Sequence, residues 1–219
     1  MSSILIADAS HPFSLAVAGA LAARGDAVVL TDGPRVARGV SGGPSTADIP
    51  TVPWNRESPL SARTVAIEAA TAIGPIDAAV VFLDARAIPE TDSFSLSEAS
   101  ARIDEWARGP ILLSLEMANR FRARGAGRLV LALRDLETPD VDPVSAAALG
   151  SFARFAEALA TSLSAADGAR GGPSALLVKL DGTDDADAAL WLAERLAAPG
   201  RWGGNRWVRA CSKGLLGML

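Results

Sequence analysis

Three aspartates at the ends of predicted strands are the side chains in this sequence best placed to do chemistry. Asp8, Asp32 and Asp84 follow apolar runs that are typical of buried strands. The carboxyl ends of adjacent parallel strands meet in the crevice where such sheets bind ligands. Three carboxylates there, with His11 beside them, would suit a cation or a metal ion. Aspartate also favours turns and helix caps, and this structural role is the expectation.

His11 and Asp142 also have both a chemical and a structural interpretation. His11 is the sole histidine and precedes Pro12, so it is expected to start a helix rather than to act as a base. Asp142 is followed by Pro143, the pattern of an N-cap with proline at the first helical position. An N-cap is expected there rather than an acid. Cys211 lies in an apolar late strand and is expected in the core rather than as a nucleophile.

Composition excludes several classes of function. One cysteine and one histidine rule out an intrachain disulfide, a cysteine-based zinc site and a multi-histidine metal site. A net charge of −4 argues against a nucleic-acid partner. No run approaches the ~20 apolar residues of a membrane span, and the start of the chain lacks the features of a signal peptide. A cytoplasmic protein is therefore expected.

The elements that would position these side chains alternate along the chain. Strands are predicted at 4–7, 27–30, 49–54, 77–83, 128–133, 175–180 and 206–211. Helices are predicted at 15–22, 58–72, 96–124, 143–166 and 184–197, and Pro110 should kink or divide the third. This order predicts an α/β fold: one Rossmann-like domain over residues 1–219, with a doubly wound parallel sheet of about seven strands and helices on both faces. The 219 residues, 49% of them hydrophobic, suffice for its core.

Two segments of the sequence bear on phosphate binding. The first strand–helix–strand unit is of the kind that opens a dinucleotide-binding fold, in which a glycine-rich turn lets the backbone approach a pyrophosphate. Here the turn from Asp8 to Ser14 contains no glycine. A second segment, 33–48, is rich in Gly, Pro and Ser and carries Arg35 and Arg38. It could hold a phosphate, but a mobile surface loop is the expectation.

Several runs carry a resemblance to a known family. Residues 74–80 (Gly-Pro-Ile-Asp-Ala-Ala-Val) resemble its entry into strand four, 124–130 its entry into strand five, and 147–160 the helix after its active-site Tyr and Lys. In this order and spacing, the chain resembles the short-chain dehydrogenase/reductase family over nearly its whole length. Asp32 falls where NAD-using members keep an acidic residue for the ribose hydroxyls.

The resemblance also implies that the family's functional residues have been lost. The family's glycine-rich turn falls on Asp8, Pro12 and Ser14, and its Asn-Asn-Ala-Gly run ends at Asp84. Its catalytic Asn, Ser, Tyr and Lys fall on Trp106, Arg134, Asp142 and Ala146. The family's reaction needs a phenol of lowered pKa beside an ammonium, and this chain contains no tyrosine. The carboxylate of Asp8 would repel a phosphate, and the Trp106 ring is expected to fill the vacated space.

The family's two assembly surfaces are expected to be retained. One is formed by the helices near 103–124 and 143–166, and the other by the last helix and strand. Small residues that permit close helix contact are Ala147, Ala148, Ser151, Ala158 and Ala160. The apolar side chains Trp207, Val208, Leu215, Leu216, Met218 and Leu219 are expected to be buried against a partner, with packing inside one chain as the alternative.

These observations lead to three hypotheses. In the first, the chain is a catalytically inert subunit without a cofactor, paired with an active paralogue that alone carries NAD(P). In the second, it is a homo-oligomeric enzyme or binding protein that uses the crevice of Asp8, His11, Asp32 and Asp84 for a small molecule without NAD(P). In the third, it is an active reductase whose motifs lie elsewhere in the chain.

Overall fold

The strands form one parallel sheet with the order β3-β2-β1-β4-β5-β6-β7. The computed structural model describes residues 1–32, 48–88, 95–135, 142–165, 172–180, 182–200, 202 and 204–210. The strands are β1 Ser3–Ile6, β2 Ala27–Thr31, β3 Thr51–Val52, β4 Ala78–Asp84, β5 Arg128–Arg134, β6 Ser174–Lys179 and β7 Trp207–Arg209. The strand order reverses between β1 and β4, as in doubly wound folds, so the predicted fold class is confirmed.

Helices cover both faces of this sheet. They are α1 Pro12–Ala23, α2 Pro59–Ile73, α3 Leu96–Ile103, α4 Gly109–Arg124, α5 Pro143–Ala165 and α6 Asp185–Ala197. One core lies under α2, α4 and α5, and the other lies under α1 and α6. All seven residues of β4 are buried, because a central parallel strand is covered on both faces.

The helix starts agree with the capping residues that the sequence suggests. Ser58 accepts a hydrogen bond from the Ser61 N–H at the start of α2. Asp142 accepts from the N–H groups of Val144 and Ser145 at the start of α5. Each side chain thereby satisfies donors that the first helical turn leaves unpaired. The N-cap interpretation of Asp142 is confirmed.

The long helix predicted over 96–124 is divided ahead of its proline. A π-helical turn, Asp104–Arg108, separates α3 from α4. Pro110 has no N–H and its ring would clash with the carbonyl of Trp106, four residues earlier, in a regular α-helix. The wider π turn accommodates that clash and places the Trp106 side chain in the core below.

Other boundaries and exposures differ from the expectations. β3 has two residues rather than six, because Pro50 and Pro53 have no N–H to donate to a sheet. Ala148 and Ala160 are buried in the core, so they are not available for helix contact between chains, whereas Ala147, Ser151 and Ala158 are exposed. Cys211, the tail residues 215–219 and residues 33–47 with Arg35 and Arg38 lie outside the described residues.

Candidate functional site

Asp8 occupies the turn between β1 and α1 in a backbone conformation that usually requires glycine. Its φ is 66°, in the left-handed region, where aspartate is tolerated because its short side chain bonds locally. One carboxylate oxygen, Oδ1, accepts from the N–H of Ser10 at 3.0 Å and from its hydroxyl at 2.5 Å. The other, Oδ2, lies 2.9 Å from Nη2 of Arg56. The Asp8 carboxylate is therefore held by its own turn on one side and by Arg56 on the other.

The backbone N–H groups of this turn all have partners within the chain. Asp8 donates to the Thr31 hydroxyl and Ala9 to the Thr31 carbonyl. The Ser10 N–H binds the Asp8 carboxylate, the His11 N–H binds the Asp8 carbonyl and Pro12 has none. The remaining one, on Phe13, donates to Nδ1 of His11. From residue 8 to residue 13, no N–H is left to bind an external anion.

Arg56 is buried beside Asp8 and lies close to two tryptophan rings. Its guanidinium carbon lies 4.6 Å from the Trp54 ring centre and 5.7 Å from that of Trp106. The start of α4 packs closely against the same side chain: a Cβ added to Gly109 would lie 2.5 Å from the Arg56 Cβ. Burial lowers the pKa of Arg56, and the attraction of Asp8 only partly offsets this. Trp106 is buried, and it stacks on a cation that the sequence analysis missed. That its ring occupies space vacated by a cofactor stays a prediction.

Asp84, at the end of β4, is the centre of a second charged cluster. Its carboxylate contacts Arg134 at 2.9 Å, Arg86 at 2.8 Å and Nε2 of His11 at 3.1 Å. Because Nδ1 of His11 accepts from Phe13, its Nε2 carries the proton and donates to Asp84. Both ring nitrogens are thus engaged, which supports the helix-start role of His11 and leaves no lone pair for a base.

Arg134 links three strand ends to the start of α6. Besides Asp84, its guanidinium donates to the carbonyls of Leu180 and Thr183, both at 3.3 Å. It also lies 2.7 Å from Oδ1 of Asp185, within ion-pair range but without the alignment of a hydrogen bond. A buried arginine with four partners holds the ends of β4, β5 and β6 together. The position predicted to replace a catalytic serine is therefore structural.

The acidic groups of this cluster respond differently to their surroundings. Burial opposes ionisation of Asp84, but the hydrogen bond from His11 and the contacts of Arg86 outweigh it, so the pKa of Asp84 lies below its usual range. Burial raises the pKa of Asp185, and the charges of Asp84 and Asp184 act in the same direction, against the attraction of Arg86. The cluster therefore stabilises the ionised form of Asp84 and disfavours that of Asp185.

The remaining predicted positions lie apart from these two clusters. Asp32 is exposed at the end of β2, and Ser14 is buried in α1 with its hydroxyl donating to the Ala7 carbonyl. Ala146 is exposed on α5. At Asp142, burial opposes ionisation, but the bonds from Ser145 and its neighbours hold the pKa of this carboxyl below its usual range. The predicted crevice thus holds Asp8, His11 and Asp84 in ion pairs and caps.

Two kinds of feature were not found among the described residues. Within the described ranges, no group of three or more His, Cys, Asp or Glu side chains is placed to hold a metal ion. In the same part of the chain, no helix has both the length and the apolar character to cross a bilayer. Asp8 and Asp84, the two buried carboxylates of the predicted crevice, each contact arginines of their own chain.

Comparison with known structures identifies the fold. The chain superposes on a short-chain dehydrogenase from Mycobacterium smegmatis with a TM-score of 0.70, at 13% identity, over 98% of this chain and 93% of that one. This is the short-chain dehydrogenase/reductase fold. A short-chain type dehydrogenase/reductase from Mycobacterium marinum gives a TM-score of 0.65 at 19% identity, over 93% of this chain and 83% of that one. A short-chain dehydrogenase from Streptomyces avermitilis gives 0.65 at 19% identity, over 93% and 88%.

Sequence comparison adds one relative of unknown role. No protein-family model matches the chain. An uncharacterized protein from Treponema pallidum (strain Nichols) is 29% identical over 169 residues, which is 75% of this chain and 74% of that one. Identities of 13% to 19% to the solved structures establish the fold alone.

Proposed function

We propose that this chain is a catalytically inert subunit with the short-chain dehydrogenase/reductase fold, and that it supports an active paralogue without itself binding NAD(P). One observation carries the proposal: every N–H from Asp8 to Phe13 is bonded within the chain or, at Pro12, absent. This turn does not fit a dinucleotide, because a pyrophosphate at a helix N-terminus is held by free N–H groups.

The electrostatics of the turn favour the same proposal. A bare Asp8 carboxylate ~4 Å from a phosphate would repel it by about 1 kcal/mol in water and about 4 near a protein surface. Its pairing with Arg56 at 2.9 Å weakens this repulsion. The missing donors are therefore the larger obstacle, since breaking the internal bonds would leave buried polar groups unsatisfied, at roughly 1–3 kcal/mol each.

The lack of a proton donor at the positions where the family keeps one supports an inert role. The chain has no tyrosine, and Asp142 is engaged as an N-cap. His11 has no free ring nitrogen. No residue at these positions can pass a proton to a carbonyl oxygen, which the family's hydride transfer requires.

The proposed assembly surface lies on α4 and α5. Their outer faces expose Leu115, Ala147, Ser151 and Ala158, which are apolar or small side chains that let another helix approach closely. A variant with Ala158→Arg would place a long charged side chain in that contact. Ala72→Arg adds the same charge at an exposed position on α2, outside the proposed surface, and is the matched control.

The test is native mass spectrometry of the tagged chain purified gently from its own host. The expected result is a complex with a second subunit of similar size that carries all of the NAD(P). Ala158→Arg should lose that subunit and Ala72→Arg should keep it. A homo-oligomer without a second subunit would refute the proposal, and so would saturable quenching of tryptophan fluorescence of the isolated chain by micromolar NADH or NADPH.

The second candidate is a homo-oligomeric binding protein that uses the same crevice without NAD(P). Arg86 favours it, because this side chain is 52% exposed while three N–O contacts fix it on Asp84. A fixed, accessible cation at the carboxyl ends of parallel strands is suited to a small anionic ligand. Native mass spectrometry would then show copies of one chain with a bound small molecule.

A further inference from the structure

Several unusual features of the chain meet at one point beside the ends of β1 and β3. Asp8 is the one non-glycine residue with positive φ in the described ranges, and its carboxylate binds Arg56. The π-helical turn carries the Trp106 ring onto the same guanidinium, and Gly109 permits α4 to approach it. Backbone strain and π turns concentrate at ligand sites, so these residues are candidates for a ligand site.

Two buried donors at this point have no acceptor in the part of the chain that the structure describes. They are Nε1 of Trp54 and Nε of Arg56. Both side chains are 7% exposed, and the ring and the guanidinium carbon lie 4.6 Å apart. Folded proteins rarely leave such donors unpaired. Each of these two neighbouring donors therefore lacks an acceptor among the described residues.

The charge around Arg56 indicates what kind of acceptor is missing. Asp8 binds the guanidinium only through Nη2 and leaves Nε open. Burial lowers the pKa of Arg56, and the charges of Asp8 and Glu105 only partly offset this cost of burial. A further anionic oxygen would stabilise it, because a buried charge needs a partner.

We propose that Trp54, Arg56 and Trp106 form a binding site for a small carboxylate, whose oxygens accept from the Trp54 indole N–H and from Nε of Arg56. A carboxylate is planar and can lie in the plane of the guanidinium, which both tryptophan rings contact. A phosphate can also place two oxygens in that plane, but near neutral pH it carries close to two negative charges, which the Asp8 carboxylate beside Arg56 repels more strongly than the single charge of a carboxylate. The site needs neither a partner subunit nor NAD(P), so it stands independently of the proposed function.

The test uses tryptophan fluorescence of the full-length chain, titrated with sodium acetate against sodium chloride at constant ionic strength. We expect a saturable change with acetate and none with chloride or phosphate. Trp54→Phe keeps an aromatic ring at this position and removes the N–H donor. Its acetate binding, followed through the remaining Trp106 beside Arg56, should weaken at least tenfold, equivalent to ~1.4 kcal/mol. Trp191→Phe on α6, where the ring stacks on Arg195, is the matched control and should bind acetate like the wild type.

A second measurement keeps the test decisive if Trp54→Phe does not fold. Acetate should raise the unfolding temperature of the wild-type chain relative to chloride, with a concentration dependence that follows its binding. The proposal is overturned if acetate gives no saturable change, if phosphate binds as tightly as acetate, or if a folded Trp54→Phe binds acetate with unchanged affinity.

Discussion

Replacing Arg134 with methionine should lower the free energy of unfolding by about 3 kcal/mol. The side chain is 3% exposed and is the ion-pair partner of Asp84 at 2.9 Å. Removing one member of a buried pair typically costs ~3–5 kcal/mol, because the other charge stays buried without its partner. Asp84 would keep Arg86 and His11, which places the loss at the lower end of that range.

The assay for this prediction is urea denaturation at pH 7, with calorimetry as a second measurement. For a chain of this size, a loss of 3 kcal/mol corresponds to a fall in melting temperature of roughly 6–12 °C. Arg86→Met is the matched control, since it removes a half-exposed partner of the same carboxylate and should cost ~1 kcal/mol or less.

A double variant separates the cause from simple loss of packing. If the uncompensated charge of Asp84 is responsible, adding Asp84→Asn to Arg134→Met should restore part of the lost stability. The reasoning is refuted if Arg134→Met unfolds within 0.5 kcal/mol of the wild type, a margin on the order of that seen for surface substitutions. It is also refuted if the two substitutions destabilise additively.

Three further predictions concern single positions. The pKa of Asp185 is raised in the folded chain, so this group stabilises the fold in acid and the stabilisation is lost as the pH rises. The free energy of unfolding of Asp185→Asn should therefore increase relative to that of the wild type as the pH is raised from 4 to 7, as measured by urea titration. Asp142→Ala should cost ~0.5–2 kcal/mol in the same assay through loss of the α5 cap, and an unchanged midpoint would contradict that role. Gly127→Ala should destabilise the chain strongly, because φ is 141° and the new Cβ would lie 2.2 Å from Phe121. Gly150→Ala in α5 has open space around it and should raise the free energy of unfolding by ~0.5–1 kcal/mol. Equal melting temperatures for the two variants would contradict this account.

Local patterns predicted the elements of this fold well. The continuous apolar run of β4 and the caps at Ser58 and Asp142 act through residues close in sequence, so their effects can be read along the chain. The lengths of β3 and β7 were overestimated. Pro50 and Pro53 interrupt the run predicted as β3, and β7 covers only Trp207–Arg209 of the predicted 206–211, whose last residue lies outside the described residues.

The charged clusters could be predicted only in part. The positions of Asp8, Asp32 and Asp84 at strand ends followed from the parallel sheet, but the partners of Asp8 and Asp84 did not. Arg56 is 48 residues from Asp8, and Arg134 is 50 from Asp84. Among so many arginines, nothing local marks these two as buried. An available signal for Arg56 was its position between Trp54 and the turn before α2.

The Asp8–Arg56 pair has a consequence for how this chain can change by mutation. Each side chain is buried, and each carries the charge that neutralises the other. Substituting either one first leaves a lone buried charge, at a cost of ~3–5 kcal/mol from a total stability of roughly 5–15. Two near-simultaneous substitutions would be needed to place a glycine in this turn. The pair therefore separates this sequence from any variant with a glycine at residue 8 by a barrier that single, individually tolerated mutations do not readily cross.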